Sequence, residues 1–78
     1  MLEKKLTLIL TFATTTQAMA AEKFCLEHGL PGRIIPVPRE ITAGCGLSWK
    51  APPEAKDNLT AALSNAGIGW AECHILEI

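Results

Sequence analysis

Tyrosine is missing from this chain, and its aromatic residues stop at two Phe and two Trp. Basic residues are few and scattered, Lys and Arg together numbering seven against eight acids, for a net charge of −1. Without a basic run or a series of stacking rings, nucleic-acid binding has no electrostatic or aromatic footing. No hydrophobic stretch reaches the length of a membrane-spanning helix, so no membrane partner is expected. C-x-x-C pairs are absent, which removes zinc knuckles and thioredoxin-like dithiols. Cys73 and His74 are adjacent, so on a strand they point to opposite faces and cannot share an ion; no metal site is expected. No Ser/His/Asp arrangement, carboxylate pair, phosphate-cradling glycine loop or cofactor motif is identifiable, and no cofactor is expected.

What is present describes one small globular domain spanning residues 1–78. Half the residues are hydrophobic (49%) and 19% are charged, a balance suited to folding around a core. Three cysteines, Cys25, Cys45 and Cys73, leave at least one free thiol. That fits a reducing compartment, here the cytoplasm, better than a secreted disulfide framework.

Lys4-Lys5 followed by Leu6–Phe12 and Ala18-Met19-Ala20 imitates a signal peptide with its cleavage site. The threonines at period two argue instead for a strand, with Leu6, Leu8, Leu10 and Phe12 on one face. Cleavage would also remove that strand from a chain with little to spare. Residues 5–13 are therefore read as strand one. Thr14-Thr15-Thr16 supplies hydroxyl caps for a helix over about 16–28, stopped by Gly29 and Pro31. Ala18, Ala21, Cys25 and His28 cluster on its apolar side, flanked by Met19 and Leu26. His28 is placed to meet the last carbonyls; Glu22, near the apolar side, either extends its carboxylate to solvent, the favoured reading, or faces the Cys45 loop as a proton acceptor.

Strand two spans about 33–38. Pro36 and Pro38 lie two apart, so their missing N–H groups fall on one side, which suits only an edge strand. Strand three follows at about 46–51. Pro52-Pro53-Glu54 opens a second helix with the apolar stripe Leu59, Ala62, Leu63, Ala66, ended by Gly67. Strand four covers about 70–77. The order β-α-β-β-α-β predicts an α+β, ferredoxin-like two-layer sandwich: an antiparallel sheet with two helices on one face. Right-handed crossovers pair strand one with strand three and leave strands two and four at the edges.

Cys25 and Cys73 fall in apolar patterns, on the helix and beside Ala71 and Ile75 on strand four. Cys45 does not. It stands between Gly44 and Gly46 in the loop between strands two and three, where glycine flanks leave a thiol reachable. A nucleophilic thiolate needs positive electrostatics. Arg39, Lys50 and Arg33 are near it in sequence or on an adjoining strand, and the first turn of helix one beside Thr15 and Thr16 could add N–H groups.

Thr11-Phe12, the threonine run, Ala21-Glu22-Lys23, Gly29-Leu30-Pro31-Gly32-Arg33, Ile35-Pro36-Val37-Pro38-Arg39-Glu40-Ile41 and Gly44-Cys45-Gly46-Leu47 together resemble the selenium/sulfur carrier-like family of small bacterial proteins. The most specific portion is P-x-P-R-E-I followed shortly by G-C-G. The resemblance implies a carrier, a protein cosubstrate rather than a stand-alone enzyme. Cys45 would accept sulfane sulfur or selenium from a donor such as a cysteine desulfurase and pass it to an acceptor enzyme. Arg39 matches the motif arginine and would stabilise the persulfide anion, with Lys50 as a second cation. Thr15 and Thr16 match the hydroxyl segment loosely, and Gly44 and Gly46 would leave room for the partner. A monomer or weak homodimer is expected, strand four being the edge better suited to pairing. A non-catalytic ligand-binding or protein-interaction module and a thiol redox sensor are the alternative readings.

Overall fold

The Leu-Thr alternation near the start of the chain becomes the strand around which the other elements pack. The computed structural model describes residues 5–41 and 46–77. These form strand β1 (Leu6–Thr11), helix α1 (Thr15–Glu27), strands β2 (Arg33–Pro36) and β3 (Leu47–Ala51), helix α2 (Lys56–Asn65) and strand β4 (Glu72–Glu77). A short 3-10 turn, Pro53–Ala55, leads into α2. The sheet order is β2-β3-β1-β4, and each neighbouring pair is antiparallel. This is the ferredoxin-like order that the crossover argument predicts. The proline-bearing strand lies at one edge and β4 at the other.

Strand β1 is central, and its alternation sorts its side chains onto two faces. Leu8 and Leu10, with Phe12 beyond them, join Trp49 and Ala51 of β3 beneath Ala18, Ala21 and Cys25 of α1 and Leu59 and Leu63 of α2. Thr7, Ile9 and Thr11 point to the opposite face, where Ile9 and Thr11 are still fully buried. A buried hydroxyl needs a partner. Thr11 Oγ1 accepts from the Glu72 N–H at 3.0 Å, and Ser48 Oγ donates to the Ile35 carbonyl at 3.3 Å. Each hydroxyl thus ties its strand to an edge strand.

Threonine begins α1 as expected, through Thr14 in particular. Thr14 Oγ1 accepts from the Gln17 N–H at 3.1 Å, and Gln17 Oε1 reaches back to accept from the Ala13 N–H at 2.9 Å. The two helices end alike. Gly29 (φ +64°) and Gly67 (φ +74°) take left-handed conformations. The N–H groups of Leu30 and Ile68 then return to the carbonyls of Cys25 and Leu63, each at 2.9 Å, and on the second helix the Gly67 N–H adds a bond to the Ser64 carbonyl at 3.0 Å, a Schellman cap. The apolar arc on α1 is narrower than its composition suggests. Ala18, Ala21 and Cys25 are buried, Glu22 is half-buried, and Met19 and Leu26 are exposed. The His28 ring does not turn to the last carbonyls; it lies against Phe24, ring centroids 4.2 Å apart.

Trp49 is the largest fully buried side chain. Its Nε1–H donates to the Pro31 carbonyl at 3.0 Å, so the turn before β2 is fastened to the core. Gly32 follows, at φ +117°. A methyl group there would overlap the Lys50 carbonyl oxygen and the Trp49 indole. The G-L-P-G-R stretch is thus a backbone crossing laid directly over a tryptophan.

Candidate functional site

The connection between β2 and β3 leaves the sheet where Pro36 pairs with Leu47. The Val37 N–H donates to the Gly46 carbonyl at 3.0 Å, closing the mouth of the loop. Ile41 N–H then donates to the Pro38 carbonyl at 2.9 Å. That bond makes a tight turn with Arg39 and Glu40 exposed at its tip and Ile41 buried behind it. Gly46 re-enters β3 at φ +89° with open space where a Cβ would sit. Its glycine is called for by conformation, not by crowding. Gly44 and Cys45 lie outside the described residues.

Topology decides what else gathers at this end of the sheet. Thr11, the last residue of β1, pairs with Ser48 next to the loop and with Glu72 at the start of β4. Helix α1 begins just beyond Thr11, so exposed Thr15 and Thr16 and its first-turn N–H groups share the end that carries Arg39 and Gly46. The segment 66–71 arrives there too, tied by Ala71 N–H to the Thr11 carbonyl at 2.7 Å. Gly69 abuts the Gln17 side chain, and Ser64, Gly67, Ile68 and Trp70 complete a shallow recess of ≈ 310 Å³. Sequence reasoning singled out neither Gln17 nor this recess. The glycines flanking Ile68 are the available signal; Gly67 reads as the helix stop, and Gly69 carries no reading of its own.

Lys50 is not gathered with these groups. It stands three residues along β3 from Leu47, about 10 Å at the usual strand rise. There it pairs with Arg33 and lines a groove at the opposite end of the sheet.

The other two thiols belong to the helix-facing core. Cys73 packs against it and is half-buried, while Cys25 is fully buried. Burial pushes the Cys25 thiol from 9.0 up to about 11. Below pH 9.0 both folded and unfolded chains keep that proton, and Cys25 adds no pH dependence. Between 9.0 and about 11 the unfolded chain binds fewer protons, so stability falls as pH rises, levelling off above that window. The practical result is inertness. At pH 8, iodoacetamide should modify Cys25 about 100-fold more slowly in the folded protein than in urea. Peptide mapping of a timed alkylation measures this, and equal rates would show that the thiol is not held in the core.

His74, on the opposite face from Cys73, bonds Glu72 Oε1 through Nε2 at 2.8 Å. Among the described residues no three His, Cys, Asp or Glu side chains converge as metal ligands. No described helix is long and apolar enough to cross a membrane.

A family model described as "Putative Se/S carrier protein-like" matches residues 7–75, nearly the whole chain. The chain belongs to that family. No curated protein and no solved structure matches it. The match runs from β1 into β4 and takes in the whole β2–β3 connection. That connection springs from the sheet end where α1 presents its positive pole.

Proposed function

We propose that this Se/S carrier-like protein carries sulfane sulfur, or selenium, on Cys45. The observation that supports this most is the family match over residues 7–75, taken with the commitment of Cys25 and Cys73 to the core. In the proposed step the Cys45 thiolate attacks the outer sulfur of a donor persulfide, such as that of a cysteine desulfurase. A new S–S bond forms to Cys45, the donor's S–S bond breaks, and the donor thiolate leaves. The cargo rides as a Cys45 persulfide until an acceptor enzyme's nucleophile takes the outer sulfur and releases the Cys45 thiolate. Arg39 stabilises the anion, being on the same connection as Cys45, where Lys50 is not. Thr15, Thr16 and the first turn of α1 add donors, while Gly44 and Gly46 leave backbone room for the partner's active site. The exchange needs Cys45 as a free thiolate and regenerates it on delivery, so the protein works in the reducing cytoplasm.

The test is direct. Incubated with a cysteine desulfurase and free cysteine, the wild-type protein should gain one sulfur atom by intact mass, and a reducing thiol should remove it. No gain in mass would overturn the reading. A stable sulfenate formed by peroxide, without sulfur uptake, would favour a redox sensor instead.

A further inference from the structure

At the far end of the sheet from the β2–β3 connection, a groove of ≈ 970 Å³ wraps the start of β1, the start of β2 and the end of β3. Lys5, Arg33 and Lys50 line it with Pro52, Pro53 and a single acid, Glu54. Three cations thus face one carboxylate in a chain whose net charge is −1. Among the described residues the one ion pair is His74–Glu72, so none of the three has a carboxylate within bonding distance there.

Register sharpens the point. Arg33 and Lys50 are direct cross-strand partners, which puts both side chains on the same face. Like charges in that position destabilise a strand pair. Lys50 is also half-buried, which limits the water that could screen it. An arrangement that costs the fold stability is accounted for if an anion belongs between the charges.

We propose that this groove binds a phosphate-bearing small molecule. Arg33 offers a planar fork matched to phosphate oxygens, and Lys5 and Lys50 supply compact charge on either side. Pro52 and Pro53 form a rigid apolar wall for the rest of the ligand. The volume is of the size usual for small-molecule sites. The site is independent of the chemistry at Cys45, and either can fail without the other.

Titration of isotopically labelled protein with inorganic pyrophosphate tests it, with sodium chloride of equal ionic strength as control. Saturable amide shifts are expected at Thr7, Arg33 and Lys50, with a rise in the urea midpoint. The double variant Arg33→Gln, Lys50→Gln should bind at least about tenfold more weakly. It should also unfold at a urea midpoint no lower than wild type, since the opposed charges are gone. ADP binding more tightly than pyrophosphate assigns a phosphate ester, and the reverse an inorganic polyphosphate; both uphold the site. Shifts that chloride reproduces, that do not saturate, or that persist in the double variant would overturn it.

Discussion

Gly32→Ala should destabilise the protein by about 3 kcal/mol or more, the largest loss expected from a methyl group added at any of the described glycines. Two costs combine at this position. The backbone sits at φ +117°, a conformation that side chains oppose, and the new Cβ would overlap the Lys50 carbonyl and the Trp49 indole. Neither neighbour can yield cheaply. The carbonyl belongs to a strand paired on both sides, and the indole is fully buried and tied to Pro31. A domain of this size has a total stability of roughly 4–12 kcal/mol, so the substitution should remove about a quarter of it or more. Gly29→Ala provides the comparison. Gly29 has φ +64° and no atom within 4 Å of the added methyl, so only the conformational cost of about 1 kcal/mol applies. Urea unfolding followed by tryptophan fluorescence separates the two. If both variants lose the same amount, crowding at Trp49 is not what the glycine relieves.

That contrast also marks where sequence stops being informative. In sequence Gly29 reads as a helix stop and Gly32 only as part of a motif, and the three-dimensional crossing alone shows which of them is crowded. The same holds for Lys50. Its place five residues after Cys45 suggests proximity, but strand direction carries it away, beside Arg33 and Lys5. Local chemistry was legible where it acts locally. The Leu-Thr period located β1, the threonine cluster located the start of α1, and two prolines set β2 at an edge because a missing N–H cannot serve an interior ladder. Strand ends were less legible. β1 ends at Thr11, two residues short of the expected limit, because Thr11 is the last residue with partners in both β3 and β4. β2 ends at Pro36, where the chain turns toward Arg39, instead of running to Pro38. The Pro52-Pro53-Glu54 opening produces a 3-10 turn first, and α2 itself starts at Lys56. In the candidate site, the topology brings the Arg39 turn and the first turn of α1 to one end. Cys45 and Gly44 lie outside the described residues, and their proposed roles rest on the sequence and the family.

Cys45→Ala should abolish sulfur loading altogether, while Cys25→Ala and Cys73→Ala should load as wild type does. The asymmetry follows from what each thiol can do. Attack on a donor persulfide requires a thiolate that the donor's active site can reach. Cys25 is fully buried and stays protonated until about pH 11, so at neutral pH it offers almost no thiolate. Cys73 packs against the same core from β4. The burial of Cys25, and the half-cover the core gives Cys73, protect the cargo as well. A second accessible thiol could attack the inner sulfur of a Cys45 persulfide, forming a disulfide and releasing sulfide, which would end the carrier cycle. Intact mass after desulfurase treatment, followed by peptide mapping of the added sulfur, decides the assignment. Loading retained in Cys45→Ala would move the cargo to another thiol and sink the proposed role. Arg39→Ala offers a graded companion measurement. Losing a charge-assisted contact to the anion should slow loading by about tenfold without preventing it. An unchanged rate would leave the first turn of α1 as the remaining source of positive potential at the hairpin.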